Sequence, residues 1–108
     1  MIQLTALYGR PQDPAAFDRY YQETHAPLVK KLPGLQGYTS NKPTPLNPQE
    51  SSPHYQITTL YFEDMGALRA ALLSPEGHAM ESDLPNFETG GITLVVGEVQ
   101  VYTPVAVG

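Results

Sequence analysis

Apolar positions recur along this chain in two rhythms, and the switches between them divide it into elements. Over "IQLTALYG" (2–9), Ile2, Leu4, Ala6 and Tyr8 fall on one side and Gln3, Thr5 and Leu7 on the other, which predicts a strand. "RPQDP" then turns the chain, with Asp13 as N-cap and Pro14 at the first helical position. Phe17, Tyr21, Thr24 or His25, Leu28 and Leu32 follow at spacings of three and four, so they share one helix face until Pro33 and Gly34 stop it. "LQGYTSNKP" (35–43) predicts a second strand, weakened by Gly37. The four prolines of "KPTPLNPQESSP" then permit neither helix nor interior strand and predict an exposed loop.

"HYQITTLYF" (54–62), rich in β-branched and aromatic residues, predicts the third strand. Asp64 caps a helix running to Leu73, in which Leu68, Leu72 and Leu73 are expected in the core. Ser74 and Pro75 start another helix for "EGHAMESDL". "DLPNFETGG" is a loop, and "ITLVVGEVQVYTPV" (92–105) a long last strand. Within it Ile92, Leu94 and Val96 share one parity and Val99 and Val101 the other, which calls for a bulge at Gly97 or for cover on both faces.

The order βαββαβ predicts an α+β, ferredoxin-like fold, a four-stranded antiparallel sheet with helices on one face. No repeat or linker divides the chain, so residues 1–108 are expected to form a single domain. The helices can cover only one sheet face. The other, expected to carry Tyr and Val side chains, predicts a C2 homodimer.

Composition narrows the function classes. The chain has no cysteine, hence no disulfide, thiolate nucleophile or Cys-based metal site. Its formal charge of −5, with scattered Lys and Arg, argues against nucleic acid and anionic membrane as partners. "MIQLTALYGR" lacks the pattern of a signal peptide and no apolar run is long enough for a membrane span, so a cytoplasmic location is expected.

"FDRYYQETHAPLVKKLPGLQGY", the Pro-rich loop, "SPEGHAMESDLPNFETGG" and the Val-rich end resemble the EthD family, named for ethyl tert-butyl ether degradation, from Ile2 to about Val105. The resemblance implies a dimeric α/β barrel, with a small hydrophobic or aromatic ligand held between each sheet and its helices. The same superfamily includes cofactor-less monooxygenases, muconolactone isomerases, polyketide cyclases and haem-degrading enzymes. Shared fold by itself does not carry chemistry from one protein to another.

The residues themselves offer one strong candidate. His25 lies four residues after Tyr21 and should point to the sheet near a kink, because Pro27 cannot donate to Glu23 and disfavours a regular turn at Ala26. An imidazole beside such a space suits acid/base catalysis of enolisation, isomerisation or aldol cyclisation, with Tyr21 or Tyr20 steadying an enolate. The bland alternative is that His25 braces the helix end through a backbone carbonyl. Tyr20, Phe87 and Leu28 are candidate pocket walls, and the tyrosines suit an apolar pocket that must orient a polar atom. Asp83 is expected to cap or turn the chain through backbone amides.

Other signals are poorer. His78 near Glu81 and Asp83 lacks a metal-ligand spacing, so no metal and no organic cofactor is expected. His54 reads as an exposed edge residue, and Gly90 and Gly91 as a flexible entry to the last strand. Two functions remain open: a cofactor-independent enzyme acting on a small catabolic intermediate, with His25 as acid/base, and a non-catalytic binding or accessory protein for such a compound.

Overall fold

Strand β1 (Ile2–Tyr8) is hydrogen-bonded on both edges, so the alternation in its sequence sets the facing of the whole sheet. In this computed structural model, which describes residues 1–106, β2 (Gly37–Asn41), β3 (Gln56–Phe62) and β4 (Ile92–Glu98) complete an antiparallel sheet in the order β2-β3-β1-β4. Ile2, Leu4, Ala6 and Tyr8 stand opposite Phe62, Leu60, Thr58 and Gln56 on one side and Glu98, Val96, Leu94 and Ile92 on the other. These rows face the helices.

The helical layer starts where predicted. Helix α1 (Pro14–Tyr20) is capped by Asp13, whose carboxylate accepts from the Ala16 N–H at 3.1 Å. Helices α3 (Met65–Leu73) and α4 (Pro75–Asp83) are capped in the same way by Asp64 on Ala67 and Ser74 on Gly77. Each such cap stabilises its helix by about 1 kcal/mol. A short 3₁₀ turn (Leu84–Asn86) follows α4.

Between α1 and the short α2 (Ala26–Val29) lies a π-helical turn, Tyr21–His25, in which the Ala26 N–H reaches back to the Tyr21 carbonyl. The structure thus replaces the predicted kink at Pro27 with a wide turn just before it. Pro27 falls in the first turn of α2, which continues the π turn directly, so its missing N–H interrupts the backbone bonding just where the wide turn ends. The wide turn also shifts the buried face. Phe17, Tyr21, His25 and Val29 repeat at steps of four, which overshoot a regular helix by about 40° each; the π turn absorbs the drift. Val29 is therefore buried where Leu28 was expected, and Leu28 is only half-buried.

The core divides along the strands. Ile2, Val29, Leu32, Leu60, Phe62, Leu68, Ala71 and Met80 form an aliphatic cluster at one end, and Tyr8, Phe17, Tyr21 and Phe87 an aromatic one at the other. Phe62 is wholly buried, which contributes about 1.5–3 kcal/mol. At the aromatic end Gly9 and Gly90 touch backbone to backbone: a Cβ on Gly90 would lie 2.1 Å from the Arg10 carbonyl oxygen. Gly90 is thus a close-packed clasp rather than the flexible entry expected, while Gly91, at φ 88°, makes the turn.

Several boundaries differ from expectation. β4 ends at Glu98, with no bulge at Gly97, which pairs in register with Gln3. The change of parity in the sequence marks the strand's end. Beyond it the Val99 N–H bonds the Met1 carbonyl, and Val101, Tyr102 and Val105 are exposed. Val107 and Gly108, the end of the expected domain, lie outside the described residues. β3 begins two residues late, leaving His54 half-buried in the preceding loop, and Leu73 is exposed. The Pro-rich loop is largely exposed as predicted, with Leu46 fully so.

The face without helices carries Thr5, Thr39, Thr59 and Thr93 beside Leu7, Ile57, Tyr61 and Val95. It is richer in threonine than the Tyr and Val expected, because Tyr8 and Tyr38 turn toward the helices. No helix among the described residues is long and apolar enough to cross a membrane.

Candidate active site

Two small side chains in the helix-facing rows make room for a cavity. Ala6 and Thr58 are direct partners in the β1–β3 ladder, flanked by the larger Leu4 and Leu60 on one side and Tyr8 and Gln56 on the other. Above them lies a cavity of about 100 Å³, walled by Leu4, Ala6, Tyr8, Tyr21, His25, Val29, Thr58, Leu60 and Met80. Leu72, Glu81, Leu84, Ile92 and Leu94 complete it toward the edge strand. Leu94 is 56% exposed, so the cavity opens between β4 and α4. The space suits one small ring.

His25, 2% exposed, forms part of that wall at the end of the π turn. Its Nδ1 lies 3.0 Å from Asp83 Oδ2, and no main-chain carbonyl takes that place. Asp83, the last residue of α4, is itself buried and receives the Tyr20 hydroxyl on Oδ1 at 2.5 Å and the Asn86 Nδ2 at 3.1 Å. Its carboxylate therefore works through side-chain donors and does not cap the chain through backbone amides.

The electrostatics fix the protonation states. Burial pushes the Asp83 carboxyl upward, but hydrogen bonds from Tyr20, Asn86 and His25 outweigh it and hold the pKa below its ordinary value. Burial also lowers His25 below 6.5, against the pull of Asp83, so the imidazole is neutral at pH 7. A neutral ring beside a carboxylate donates from Nδ1, which leaves the Nε2 lone pair without a partner among the described residues, on a ring that forms part of the cavity wall. Phe87 packs on the ring at 4.6 Å between centroids, and Tyr21 at 5.4 Å.

A second polar string runs from Tyr21 away from the histidine. The Tyr21 hydroxyl lies 2.5 Å from that of Tyr38 and 3.2 Å from Thr58 Oγ1. Thr58 accepts from Gln56 Nε2 at 3.0 Å, and Gln56 Oε1 accepts from Lys42 Nζ at 2.8 Å. Lys42 also pairs with Asp18 at 2.9 Å, which anchors the start of the Pro-rich loop. Burial raises the pKa of Tyr21, Tyr8 and Tyr38, so all three remain neutral hydroxyls.

Comparison with known proteins now places the chain. A family model described as "EthD domain" matches residues 9–90. The chain belongs to the EthD family. It is 35% identical over 104 residues to a Rhodococcus erythropolis protein described as "Uncharacterized 11.0 kDa protein in thcB-thcC intergenic region", covering 96% of this chain and all of that one. The crystal structure of an EthD family protein from Bacillus halodurans C-125 superposes with a TM-score of 0.85 at 36% identity, over 93% of this chain and 99% of the other. Two more distant structures share the fold. One is a dimeric ferredoxin-like protein from Thermobifida fusca YX, at TM-score 0.68 and 13% identity over 91% and 90% of the two chains. The other is SnoaB, a cofactor-independent oxygenase from Streptomyces nogalater, at 0.63 and 17% over 94% and 97%.

In this EthD protein the structure brings His25 and Tyr21 together in the cavity wall. Tyr20 and Phe87 stand outside the cavity, one bonded to Asp83 and the other stacked on His25, while Leu28 borders a separate shallow hollow with Lys31 and Pro75. His78 is exposed, and among the described residues no three metal-ligating side chains come together. Tyr8, Thr58, Gln56 and Lys42 went unnoticed as site residues. The small Ala6 and Thr58 at core-facing positions were the signal available for the cavity, whereas the polar string depends on pairing between distant segments.

Replacement of Asp83 by Asn tests the carboxylate's hold on His25. It should cost about 1–3 kcal/mol at neutral pH, measured by denaturant unfolding, because Asn cannot accept from all three donors. The pH dependence has a definite sign. His25 binds protons less readily in the folded than in the unfolded chain, so stability is full above pH 6.5 and declines as pH falls below it. Without the carboxylate the imidazole pKa drops further and that decline steepens; an unchanged slope would contradict the assignment.

Proposed function

We propose that this EthD protein is a cofactor-independent acid/base catalyst acting on a small hydrophobic or aromatic catabolic intermediate, with chemistry of the isomerase, cyclase or monooxygenase-like kind. The observation that carries the reading is His25 in the wall of an apolar cavity, its Nδ1 held by Asp83 and its Nε2 unpaired among the described residues. A general base needs that lone pair within reach of a substrate C–H, and the low imidazole pKa keeps it available at pH 7. In the elementary step the C–H bond α to a carbonyl breaks, its proton passes to Nε2, and the electron pair delocalises onto the carbonyl oxygen as an enolate. Tyr21, beside His25 in the same wall, is the residue we propose to hydrogen-bond that oxygen.

The largely apolar wall also supports a second reading, a binding protein that holds such a compound for a separate oxygenase. Proton exchange separates the two. Phenylacetone in D₂O should exchange its α-protons in the presence of the protein, saturably, and His25→Ala should slow that exchange about 10²-fold or more with little change in KM. Exchange no faster than in buffer, with phenylacetone still bound, would favour the binding protein.

The functional unit we propose is a homodimer formed by the helix-free sheet faces. Leu7, Ile57, Tyr61 and Val95 on that face have no helix over them among the described residues, and their threonine neighbours have compact side chains that pack closely across a sheet interface. Sedimentation at micromolar concentration should give a dimer, and replacing Ile57 and Val95 by Lys should give a folded monomer. A wild-type monomer would contradict it.

A further inference from the structure

The polar string behind the cavity has a fixed direction, and that direction selects the ligand. Lys42 can only donate, so Gln56 Oε1 must face it and Gln56 Nε2 must face Thr58. Thr58 Oγ1 is thereby held as an acceptor at the string's inner end. Beyond it three hydroxyls, Thr58, Tyr21 and Tyr38, each carry a proton, but only two oxygen–oxygen contacts join them. Whichever way the protons are arranged, one is left over.

Two of the three residues, Tyr21 and Thr58, line the cavity, and Tyr21 also borders a second hollow with Tyr38, Lys42 and Gln56. Tyr8, from β1, is a further wall residue that carries a hydroxyl. It is 2% exposed, lines the same cavity, and its hydroxyl has no partner among the described residues. The ring lies edge-on to Tyr21 at 6.1 Å between centroids. Burial keeps both phenols protonated, and thus donors, at neutral pH.

We infer that the cavity holds a subsite for an acceptor oxygen, a carbonyl, enolate or phenolate, bound by the Tyr8 hydroxyl together with the surplus proton of the Tyr21–Thr58–Tyr38 string, with Lys42 and Gln56 as positioning residues that set the string's direction. The inference rests on the reading of this cavity as the active site and names its ligand class: a small ring compound with an oxygen that only accepts. Ammonium groups, which only donate, are disfavoured.

p-Nitrophenol is the probe, because it is a single ring whose phenolate is coloured and which ionises near neutral pH. Bound to the protein, it should ionise more readily than in solution, its dissociation constant raised about tenfold by two donors to the phenolate oxygen. Tyr8→Phe, an isosteric change, should reduce that shift. Lys42→Met should reduce it too, since Gln56 can then turn its carbonyl to Thr58 and absorb the surplus proton. Adding Gln56→Leu to Lys42→Met removes that acceptor and should restore the shift, which neither a loss of charge nor a loss of packing would do. Melting temperatures of each variant establish that it is folded.

A shift unaffected by Tyr8→Phe, or a double variant no better than Lys42→Met alone, would overturn the inference. Binding of p-nitrophenol with no shift in its ionisation would also overturn it. Failure of the underlying reading is separate: it appears as absent phenylacetone exchange while the p-nitrophenol shift persists.

Discussion

One buried carboxylate ties the two halves of this protein together. Asp83 ends α4, and its three donors come from α1, from the π turn and from the 3₁₀ turn that follows it. A buried carboxylate is costly unless fully paired, so the helix ends that supply its partners are held to one geometry. That geometry decides the histidine's state. With Nδ1 committed to Asp83 and burial opposing the charged form, the ring is held neutral in the cavity wall, with Nε2 unpaired among the described residues.

The cavity and the histidine reach each other through a defect in the first helix. A regular α-helix through Tyr21 and His25 would rotate side chains spaced by four out of line within two turns. The π turn keeps Phe17, Tyr21, His25 and Val29 over the sheet, and Pro27 directly after it has no N–H to offer the Glu23 carbonyl for a regular bond. Below, Ala6 and Thr58 leave space where a Leu or Phe would have filled the core. Packing that would otherwise be continuous is interrupted where His25, Tyr21 and Thr58 line one cavity.

The fold was legible because its signals are local: alternation in β1 and β3, and the caps Asp13, Asp64 and Ser74, each standing directly before a helix. The last strand was overextended because alternating valines continue past Glu98, where the ladder with β1 ends. His25 and Tyr21 could be placed on the sheet-facing side from spacing alone. Leu28 could not be separated from Val29, because a π turn changes the period within one helix and leaves only Pro27 as its mark. Asp83, Gln56 and Lys42 act across long sequence separations, through contacts that no local pattern encodes.

The central claim is that His25 is a neutral imidazole protonated at Nδ1, with Nε2 free at the cavity. ¹⁵N-detected NMR of the histidine ring across a pH series reads both the tautomer and the titration directly. The account predicts the Nδ1–H tautomer at pH 7 and a midpoint below 6.5. An Nε2–H tautomer, or an imidazolium persisting at pH 7, would contradict it.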